Sequence, residues 1–450
     1  MINRKFYLKL YSDVKFAKVD PVSHFENFGI NEIRIPNYSS YYVLDHDLKI
    51  VISSILKNNV VNYKKNVVNH SLYKFLGSFS ILEKVLNFLS LFVLFLKLKK
   101  NFSCLSLCIT EELSGGVNRF LSNQLLLDSK EKNYIFLVPD KFSTSKNCYF
   151  KFIYQFQGKT YIRFYSSFMV NLFFILIKFF SFRFNLIIHH YNFDKFPNFY
   201  TLRLGILDYN MYIHDFLYFD KKIIYDYLNL NKYSTFSGFH DSKLSKRSQA
   251  ISTFIRNASI IFVPSVFVRD VLVNLEICVS NKIEIYPPPF KKLQLAETTK
   301  VSPIITNIAF FGSFQVSKGS EILLRLNSFL NEIATDKELL IFGKSEDNFF
   351  RTNSLKYQKV RFMGEYCLDD IPNILNRQNI DCIILPSQDP ETFSFVFHEL
   401  FHPSLTYFVS NLGIFTNEYD IPRNENIFKV NRYWDINSWE QTLSKHYFKL

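Results

Sequence analysis

The sequence predicts an α/β protein with two Rossmann-like domains, whose parallel sheets face each other across a cleft, and a small helical N-terminal extension. At 450 residues the chain is too long for one hydrophobic core. From residue 101 onward, apolar strand patterns alternate with helical patterns, as is typical of parallel βαβ units. Pro287-Pro288-Pro289 interrupts this alternation, which then restarts. We therefore expect an N-terminal Rossmann-like domain over 101–290 and a C-terminal one over 303–450.

Helical signals dominate the first 100 residues. Asp13 and Asp20-Pro21 are typical of helix starts and Gly29 of a helix stop, so two short helices are predicted within a module at 1–36. Residues 37–100 are predicted to be a helical connector that ends in an apolar helix.

The elements of the two domains are predicted from apolar runs bounded by turn residues. In the first domain the predicted strands are Ser103–Thr110, Tyr134–Pro139, Thr160–Phe164, Leu186–Tyr191, Met211–Phe216 and Ile260–Pro264, and the helices are Val117–Leu127 and Gln249–Asn257. In the second domain the predicted strands are Asn307–Phe311, Glu338–Phe342, Arg361–Gly364, Asp381–Pro386 and Thr406–Ser410. Its predicted helices are Gly319–Ile333, Asp370–Asn379, Ser394–Phe401 and Trp434–Phe448, the last being a candidate to cross back to the first domain.

The net charge of +13 comes from the first 300 residues, because residues 301–450 carry 14 Lys and Arg against 18 Asp and Glu. This asymmetry favours a basic surface that meets nucleic acid or anionic lipid, and a generally lysine-rich solvated surface is the alternative. No recognisable nucleic-acid-binding module is present, so no nucleic-acid partner is expected.

Two apolar stretches, Val85–Leu96 and Met169–Phe180, carry lysines in or beside them. Each has about 12 residues, fewer than the ~20 needed to span a bilayer. They are predicted to be buried helices, and the alternative is shallow insertion at a membrane surface. Because Met1–Tyr11 lacks the apolar core of a signal peptide, we expect a cytoplasmic protein, with peripheral binding to the inner face of the plasma membrane as a further expectation.

Neither the cysteines nor the acidic residues form a metal-site pattern. The six cysteines include no Cys-x2-Cys pair, so buried free thiols in a reducing compartment are expected. Asp45-His46-Asp47 contains an Asp-x-Asp, but it lies outside both predicted domains and is interpreted as a chance match.

A loop at the start of the second domain is a candidate anion site. Gly312 ends a strand, and Lys318-Gly319 opens the next helix, where backbone N–H groups and the helix dipole attract negative charge. The alternative is a tight strand–helix turn with a surface lysine.

Later in the same domain, acidic residues surround another helix start. A strand ends at Pro386, Glu391 lies in the following loop, and Glu399 lies about one turn inside the helix. Backbone N–H groups near Thr392–Ser394 are predicted to hold a diphosphate, while the carboxylates accept hydrogen bonds from sugar hydroxyls. Ordinary helix capping is the alternative.

In the first domain, glycines and histidines occupy the carboxyl ends of strands. Gly115-Gly116 is the only glycine pair among 12 glycines, and it lets a ligand approach the backbone closely. His214 ends one strand and His189-His190 ends another, which places them at the cleft, with a structural role as the alternative.

Together these motifs resemble a retaining glycosyltransferase of family 4, which has the GT-B fold. The matching residues follow the family's order over roughly 103–420: Gly115-Gly116-Val117, Tyr212-Ile213-His214-Asp215, Val263-Pro264-Ser265, Gly312 with Lys318-Gly319, Pro386-Ser387 and Glu391-x7-Glu399. The opening 36 residues resemble a short module found attached to bacterial polysaccharide glycosyltransferases.

The resemblance implies transfer of a sugar from a nucleotide-diphosphate sugar to a glycan or lipid-linked glycan in bacterial surface polysaccharide synthesis, with the anomeric configuration retained. It implies that Lys318 neutralises the leaving diphosphate, Glu391 binds donor-sugar hydroxyls and Glu399 binds the ribose diol. It places His214 at the reacting face. The other donor-binding residues that it implies are Gly115, Gly116, Gly312, Ser313, Thr392 and Phe393. Family members of this type need no metal, so no cofactor is expected.

One position departs from the family, since Ser313 stands where an arginine often follows the first glycine of the loop. Asn118-Arg119 and Lys344 are candidates to supply the missing diphosphate cation. Two alternatives stay open: a non-catalytic GT-B scaffold protein, which Ser313 favours, and a sugar-nucleotide epimerase, which the N-terminal module disfavours.

Overall fold

The structure of the chain, a computed structural model, describes parts of both predicted domains in detail. The described residues are 2, 4, 7–8, 11–29, 34, 41–44, 65–68, 89, 91–96, 98, 105–110, 119–121, 123–124, 134–139, 149–156, 159–180, 184–189, 208–216, 254–292, 307–333, 336–345 and 357–448. The chain forms two compact units. The first comprises Met1–Tyr225, His240–Val263 and Glu276–Glu284, and the second comprises Asp226–Phe239, Pro264–Leu275 and Ile285–Leu450.

The first unit is built on a ten-stranded sheet. Its strands are β1 (Tyr41–Leu44), β2 (Lys65–Val68), β3 (Leu105–Ile109), β4 (Tyr134–Pro139), β5 (Tyr149–Phe156), β6 (Lys159–Ser166), β7 (Phe184–Ile188), β8 (Tyr209–Tyr212), β9 (Ile261–Val263) and β10 (Ile283–Ile285). Across the sheet they follow the order β10-β9-β8-β7-β3-β4-β5-β6-β1-β2. Its described helices are α1 (Ser12–Phe16), α2 (Pro21–His24) and α3 (Ser167–Phe179).

The centre of this sheet is parallel, as predicted. Strands β9, β8, β7, β3 and β4 pair in parallel along it. Leu107, Ile135 and Ile188 on these strands are completely buried, as expected for strands covered on both faces. All six predicted strands of the first domain are present to within a few residues, which confirms the α/β class.

The other half of the sheet is antiparallel, which the sequence analysis does not anticipate. β5 and β6 form a hairpin in which Phe156 pairs with Lys159, and Gln157-Gly158 between them has the length and the glycine of a tight hairpin loop. β1 pairs with β6 and with β2. Because β1 and β2 fall within 37–100, strands occupy part of the range predicted as a helical connector, and the first sheet is mixed.

Both short helices predicted in the N-terminal module are present. At the start of α2, the Asp20 carboxylate accepts hydrogen bonds from the backbone N–H groups of Val22 and Ser23 at 3.1 and 3.0 Å. Asp13 lies in the first turn of α1, where it accepts two hydrogen bonds from the buried guanidinium of Arg34 at 3.1 and 2.7 Å. This bidentate ion pair ties the end of the module to its first helix.

The second unit is built on a six-stranded sheet. Its strands are β11 (Asn307–Phe311), β12 (Leu339–Phe342), β13 (Val360–Gly364), β14 (Ile380–Leu385), β15 (Thr406–Ser410) and β16 (Ile427–Val430). They follow the order β13-β12-β11-β14-β15-β16 and are all parallel. Its described helices are α4 (Val266–Asn274), α5 (Ser320–Glu332), α6 (Ile371–Arg377), α7 (Phe395–Leu400) and α8 (Ile436–Leu443).

All five strands and all four helices predicted for the second domain are confirmed, while β16 is missed. β16 has only four residues, one of them Lys429, and it pairs with β15 at the edge of the sheet. The terminal helix packs on its own unit, because Trp439 is completely buried and its Nε1–H donates to the carbonyl of Tyr433 at 2.8 Å.

Helix α4 groups with the second unit, although the predicted domain boundary assigned it to the first. The Asp420 carboxylate accepts hydrogen bonds from the N–H groups of Val266 and Phe267, each at 2.7 Å. Desolvation raises the pKa of Asp420, and these two hydrogen bonds oppose the shift. An acidic side chain at a helix N-terminus thus fastens α4 to the loop after β15.

The remaining predictions concern two partly described helices, the cysteines and the membrane-spanning potential of the helices. The predicted helices Val117–Leu127 and Gln249–Asn257 are described only at 119–121, 123–124 and 254–257; these residues are helical except Asn257, which lies in a turn. Cys108, Cys278 and Cys382 are buried free thiols as expected, whereas Cys367 is exposed; Cys104 and Cys148 lie outside the described residues. Within the described ranges, no helix is both long and apolar enough to cross a bilayer.

Candidate functional site

Three loops meet at the carboxyl edge of the second sheet. They follow β11, β14 and β15, and they lie side by side because neighbouring parallel strands end at the same edge. The N–H groups of Gln388 and Asp389 donate to the carbonyl of Ser317 at 2.9 and 3.3 Å. On the other side, the N–H of Ile414 donates to the carbonyl of Glu391 at 2.9 Å. The loop after β14 is therefore held by both of its neighbours.

Two glycines allow this close approach. Gly319 and Gly413 have φ values of 81° and 65°, in the left-handed region that favours glycine. A Cβ atom on Gly319 would lie 2.0 Å from the carbonyl oxygen of Pro386, and one on Gly413 would lie 2.3 Å from that of Glu391. Only glycine fits at either position, which explains both residues in a chain with few glycines.

The side chains of Lys318 and Glu391 meet where these loops join. The Lys318 Nζ lies 2.5 Å from the Glu391 Oε1. The Ser387 hydroxyl donates to the same oxygen at 2.6 Å. The Lys318 side chain is 38% exposed and that of Glu391 15%. A partly exposed ammonium thus lies against a largely buried carboxylate, 73 positions away in the sequence.

Opposing effects set the ionisation of Glu391. Burial is the largest and raises the pKa of its carboxyl group, but the Lys318 charge and the hydrogen bonds from Lys318 and Ser387 together outweigh it. The pKa of Glu391 is therefore lowered from its usual value. At neutral pH the site holds an ionised carboxylate, which accepts hydrogen bonds and donates none.

The loop after β11 carries the predicted residues Gly312 and Ser313. The Gly312 N–H donates to the carbonyl of Phe342, and the Phe314 N–H donates to that of Lys344, both at 2.9 Å. Ser313, between the two, is exposed, and so is Lys344. Of the cations considered as substitutes for the missing arginine, Lys344 therefore lies beside the Ser313 loop, whereas Arg119 belongs to the first unit.

The start of α7 is fixed by an aromatic stack. The ring of Phe393, which is buried, lies flat on that of His398, with centroids 4.2 Å apart and planes 3° apart. His398 Nδ1 and Nε2 lie 3.1 and 3.3 Å from the carbonyl oxygens of Ser394 and Asp420. Burial lowers the pKa of His398 against the opposing effect of these hydrogen bonds. Thr392 precedes the stack and is half-buried.

Glu399 differs from Glu391 in its surroundings. It lies inside α7, which follows Ser394 with its left-handed φ of 57°. Glu399 is only 3% exposed. The structure thus brings Lys318 and Glu391 into direct contact, and it buries the Glu399 side chain on the helix that follows the Glu391 loop.

In the first unit, two histidines meet at the carboxyl ends of β7 and β8. His189 Nδ1 lies 3.2 Å from His214 Nε2. His214 also packs edge-on against Phe120, at a centroid distance of 4.7 Å, and stacks on Tyr212 at 5.8 Å. His189 is completely buried, and burial lowers its pKa to about 3. His189 is therefore neutral, and the His214 ring beside it is half-buried.

Several predicted residues lie outside the described ranges: Gly115, Gly116, Asn118, His190 and Asp45-His46-Asp47. Within the described parts of the chain, no group of three His, Cys, Asp or Glu side chains is placed to hold a metal ion.

Sequence reasoning missed the roles of two residues and one contact between predicted residues. Ser387 was singled out only as part of the Pro386-Ser387 motif, without a role, yet its hydroxyl binds Glu391. Gly413 was not singled out, although a glycine after a strand in a glycine-poor chain is a signal. The contact between His189 and His214 has no local signal beyond their positions at the ends of successive strands.

No protein-family model matches the sequence, and no curated protein matches it. Several solved structures are similar to it at low identity. A glycosyltransferase from Rickettsia africae is 14% identical with a TM-score of 0.49, covering 77% of this chain and 89% of its own. Anabaena HepE in complex with UDP is 12% identical with a TM-score of 0.48, covering 76% and 90%. The catalytic domain of Arabidopsis thaliana starch synthase IV, bound to ADP and acarbose, is 12% identical with a TM-score of 0.46, covering 76% and 90%.

Proposed function

We propose that this chain is a retaining glycosyltransferase with the GT-B fold, which moves a sugar from a nucleotide-diphosphate sugar to a glycan or lipid-linked glycan. Because the TM-scores of the similar structures are below 0.5, the proposal depends on this chain's own residues. The observation that carries it is the contact of Lys318 with Glu391, the first carboxylate of the Glu391-x7-Glu399 motif, at the carboxyl edge of a parallel sheet.

Lys318 is suited to bind the diphosphate of the donor. Its ammonium group is partly exposed, so a phosphate oxygen can take the place of the Glu391 oxygen without unfolding the loop. A positive charge held beside the departing diphosphate stabilises the charge that develops there, which is a large contribution to catalysis. Lys344, exposed beside Ser313, supplies a second cation in place of the missing arginine.

Glu391 is suited to bind the transferred sugar. Its ionised carboxylate accepts hydrogen bonds from hydroxyl groups, and Ser387 and the carbonyl contact with Ile414 fix its position. Glu399 binds the ribose diol in this proposal. Gly312, Ser313, Thr392 and Phe393, with Gly115 and Gly116, contact the phosphates and the sugar.

The first unit contributes His214 at the reacting face and binds the acceptor. Since His189 is buried and neutral, its contact with His214 Nε2 holds that ring in position at the end of β8. The proposed setting is bacterial surface polysaccharide synthesis at the inner face of the plasma membrane, with no resident metal required.

A thermal-shift screen with UDP, GDP, ADP, CMP and dTDP tests the donor site. We expect one nucleotide to raise the melting temperature of the wild type and to lose this effect in Glu399→Gln. Glu440→Gln, a change of another helical glutamate in the same unit, is the matched control and should respond like the wild type.

The screen also separates the alternatives. If no nucleotide shifts the melting temperature, the non-catalytic scaffold is favoured. If the corresponding sugar nucleotide is converted to its epimer in the absence of any acceptor, the protein is an epimerase.

A further inference from the structure

We propose that two helices of the first unit form a surface that docks this chain onto an anionic lipid bilayer. They are α3 and a helical segment whose described residues are 89, 91–96 and 98. The inference deepens the membrane setting of the proposed function, but its evidence is independent of the donor site.

The inner faces of both helices are occupied by packing. Phe173 of α3 packs edge-on against Phe152 of β5, with ring centroids 5.2 Å apart. Phe95 of the other helix packs against Phe173 and Phe180 at 6.3 and 5.4 Å. The two helices are therefore neighbours, and α3 packs on the antiparallel part of the sheet.

The outer faces expose large apolar side chains at helical spacing. On α3, Phe168 is 71% exposed, Ile175 41% and Phe179 79%, and steps of seven and four residues place them on one face. On the neighbouring helix, Leu89, Val93 and Leu96 are 45–49% exposed and also share one face. Single exposed apolar residues are ordinary, but two contacting helices that each expose a whole stripe mark an interaction surface. We call these six residues the paired-helix face.

The sequence of the segments that carry the paired-helix face is basic, which favours an anionic lipid surface as its partner. The segments 84–100 and 167–183 contain no Asp or Glu, and their basic residues are Lys84, Lys97, Lys99, Lys100, Lys178 and Arg183. Lysines beside an apolar stripe bind anionic headgroups while the stripe enters the acyl boundary. A second copy of this chain fits less well, because it would bring two sets of basic side chains together.

The length of the helices makes the binding shallow. α3 has 13 residues, which corresponds to about 20 Å at 1.5 Å per residue, against a hydrocarbon core of about 30 Å. The helices therefore lie in the interface and do not cross the bilayer.

Co-sedimentation of the full chain with vesicles tests the proposal. We expect binding to phosphatidylcholine vesicles that contain phosphatidylglycerol, weaker binding to phosphatidylcholine alone, and loss of binding as salt is raised. The double variant Phe168→Ser/Phe179→Ser should bind the mixed vesicles at least about tenfold more weakly, because two phenylalanines no longer enter the bilayer. Val93→Ser/Leu96→Ser tests the other helix in the same way.

Tyr419→Ser is the matched control, since Tyr419 is an equally exposed aromatic residue of the second unit, and it should bind like the wild type. The proposal is overturned if the wild type does not bind mixed vesicles, if neutral vesicles bind it equally well, or if both double variants bind unchanged. A wild-type dimer in light scattering that the double variants abolish would assign the face to a second copy instead. The nucleotide-induced thermal shift, measured on the same samples, reports the donor site separately.

Discussion

The two units place opposite chemistry at the carboxyl ends of their parallel strands. In the second unit an ammonium group meets an ionised carboxylate, and a serine hydroxyl completes the contact. In the first unit two imidazole rings meet among the aromatic rings of Phe120 and Tyr212, and the buried ring is neutral. In the proposed function this difference separates two tasks, because charge binds phosphate and hydroxyl groups, whereas a neutral aromatic setting orients one histidine.

We call the contact of Lys318, Glu391 and Ser387 the polar site. The largest effect is expected from Glu391→Gln, which removes the negative charge from this site. Sugar transfer should fall by about 100- to 1000-fold, as when one positioned electrostatic group is lost from an active site. Glu338→Gln, in the exposed Arg361–Glu338 ion pair of the same unit, is the control and should keep its activity. Equal activity of Glu391→Gln and wild type in a steady-state transfer assay would remove Glu391 from the site.

The next largest effect is on stability, and it tests whether close packing at Gly413 positions the loop that carries Glu391. Gly413→Ala should lower the free energy of unfolding by about 3 kcal/mol, because the new Cβ would press on the Glu391 backbone and the φ of 65° is strained for alanine. Gly364→Ala shares a positive φ but has nothing within 4 Å of its Cβ, so only about 1 kcal/mol is expected. Chemical denaturation measures both, and equal losses would show that the contact with Glu391 is unimportant.

A change in the aromatic site, formed by His189 and His214 with Phe120 and Tyr212, should lower activity less strongly. His189→Phe keeps an aromatic ring against Tyr212 but removes the nitrogen that meets His214, so kcat should fall about tenfold. Nucleotide binding should not change, because His189 is not among the proposed donor-binding residues. His446→Phe, which replaces another stacked histidine, is the control. If His189→Phe weakened nucleotide binding and left kcat intact, His189 would not act through His214.

The smallest effect is a pH dependence of stability. The pKa of Glu391 is lower in the folded chain than its usual value of 4.5, so its charge stabilises the fold above that value. This stabilisation is lost as pH falls through the folded-state pKa. The difference in unfolding free energy between wild type and Glu391→Gln should therefore shrink on acidification, as measured by denaturation at a series of pH values. A difference that stayed constant with pH would mean that Lys318 does not lower the pKa of Glu391.

The sequence predicts the parallel strands well, because each is an apolar run between turn residues. Tyr134–Pro139, Asn307–Phe311 and Thr406–Ser410 match the structure to the residue. Strand β5 is not predicted, because the only turn signal of the β5–β6 hairpin is Gly158. A strand rich in aromatic residues also shows no clear alternation of apolar and polar residues. The rule that parallel strands end together brings the Lys318 and Glu391 loops to one edge.

Direct contacts between distant residues could not be predicted. The carboxylate of Asp420 binds the start of α4 at a separation of 154 positions, and no local pattern at either end encodes that contact. The same holds for His189 and His214. In contrast, Lys318 and Glu391 are each predicted as site residues from the sequence, and the structure adds that their side chains contact each other.

The most direct test of the proposed donor site is calorimetric titration of the nucleoside diphosphate selected by the screen into Lys318→Met and wild type. Lys318 is expected to exchange Glu391 for the diphosphate, so affinity should fall by about 100-fold in Lys318→Met. The control variant Arg361→Met, which removes a cation from the opposite edge of the sheet, should bind like the wild type. Equal affinity of Lys318→Met and wild type would contradict a diphosphate site at Lys318.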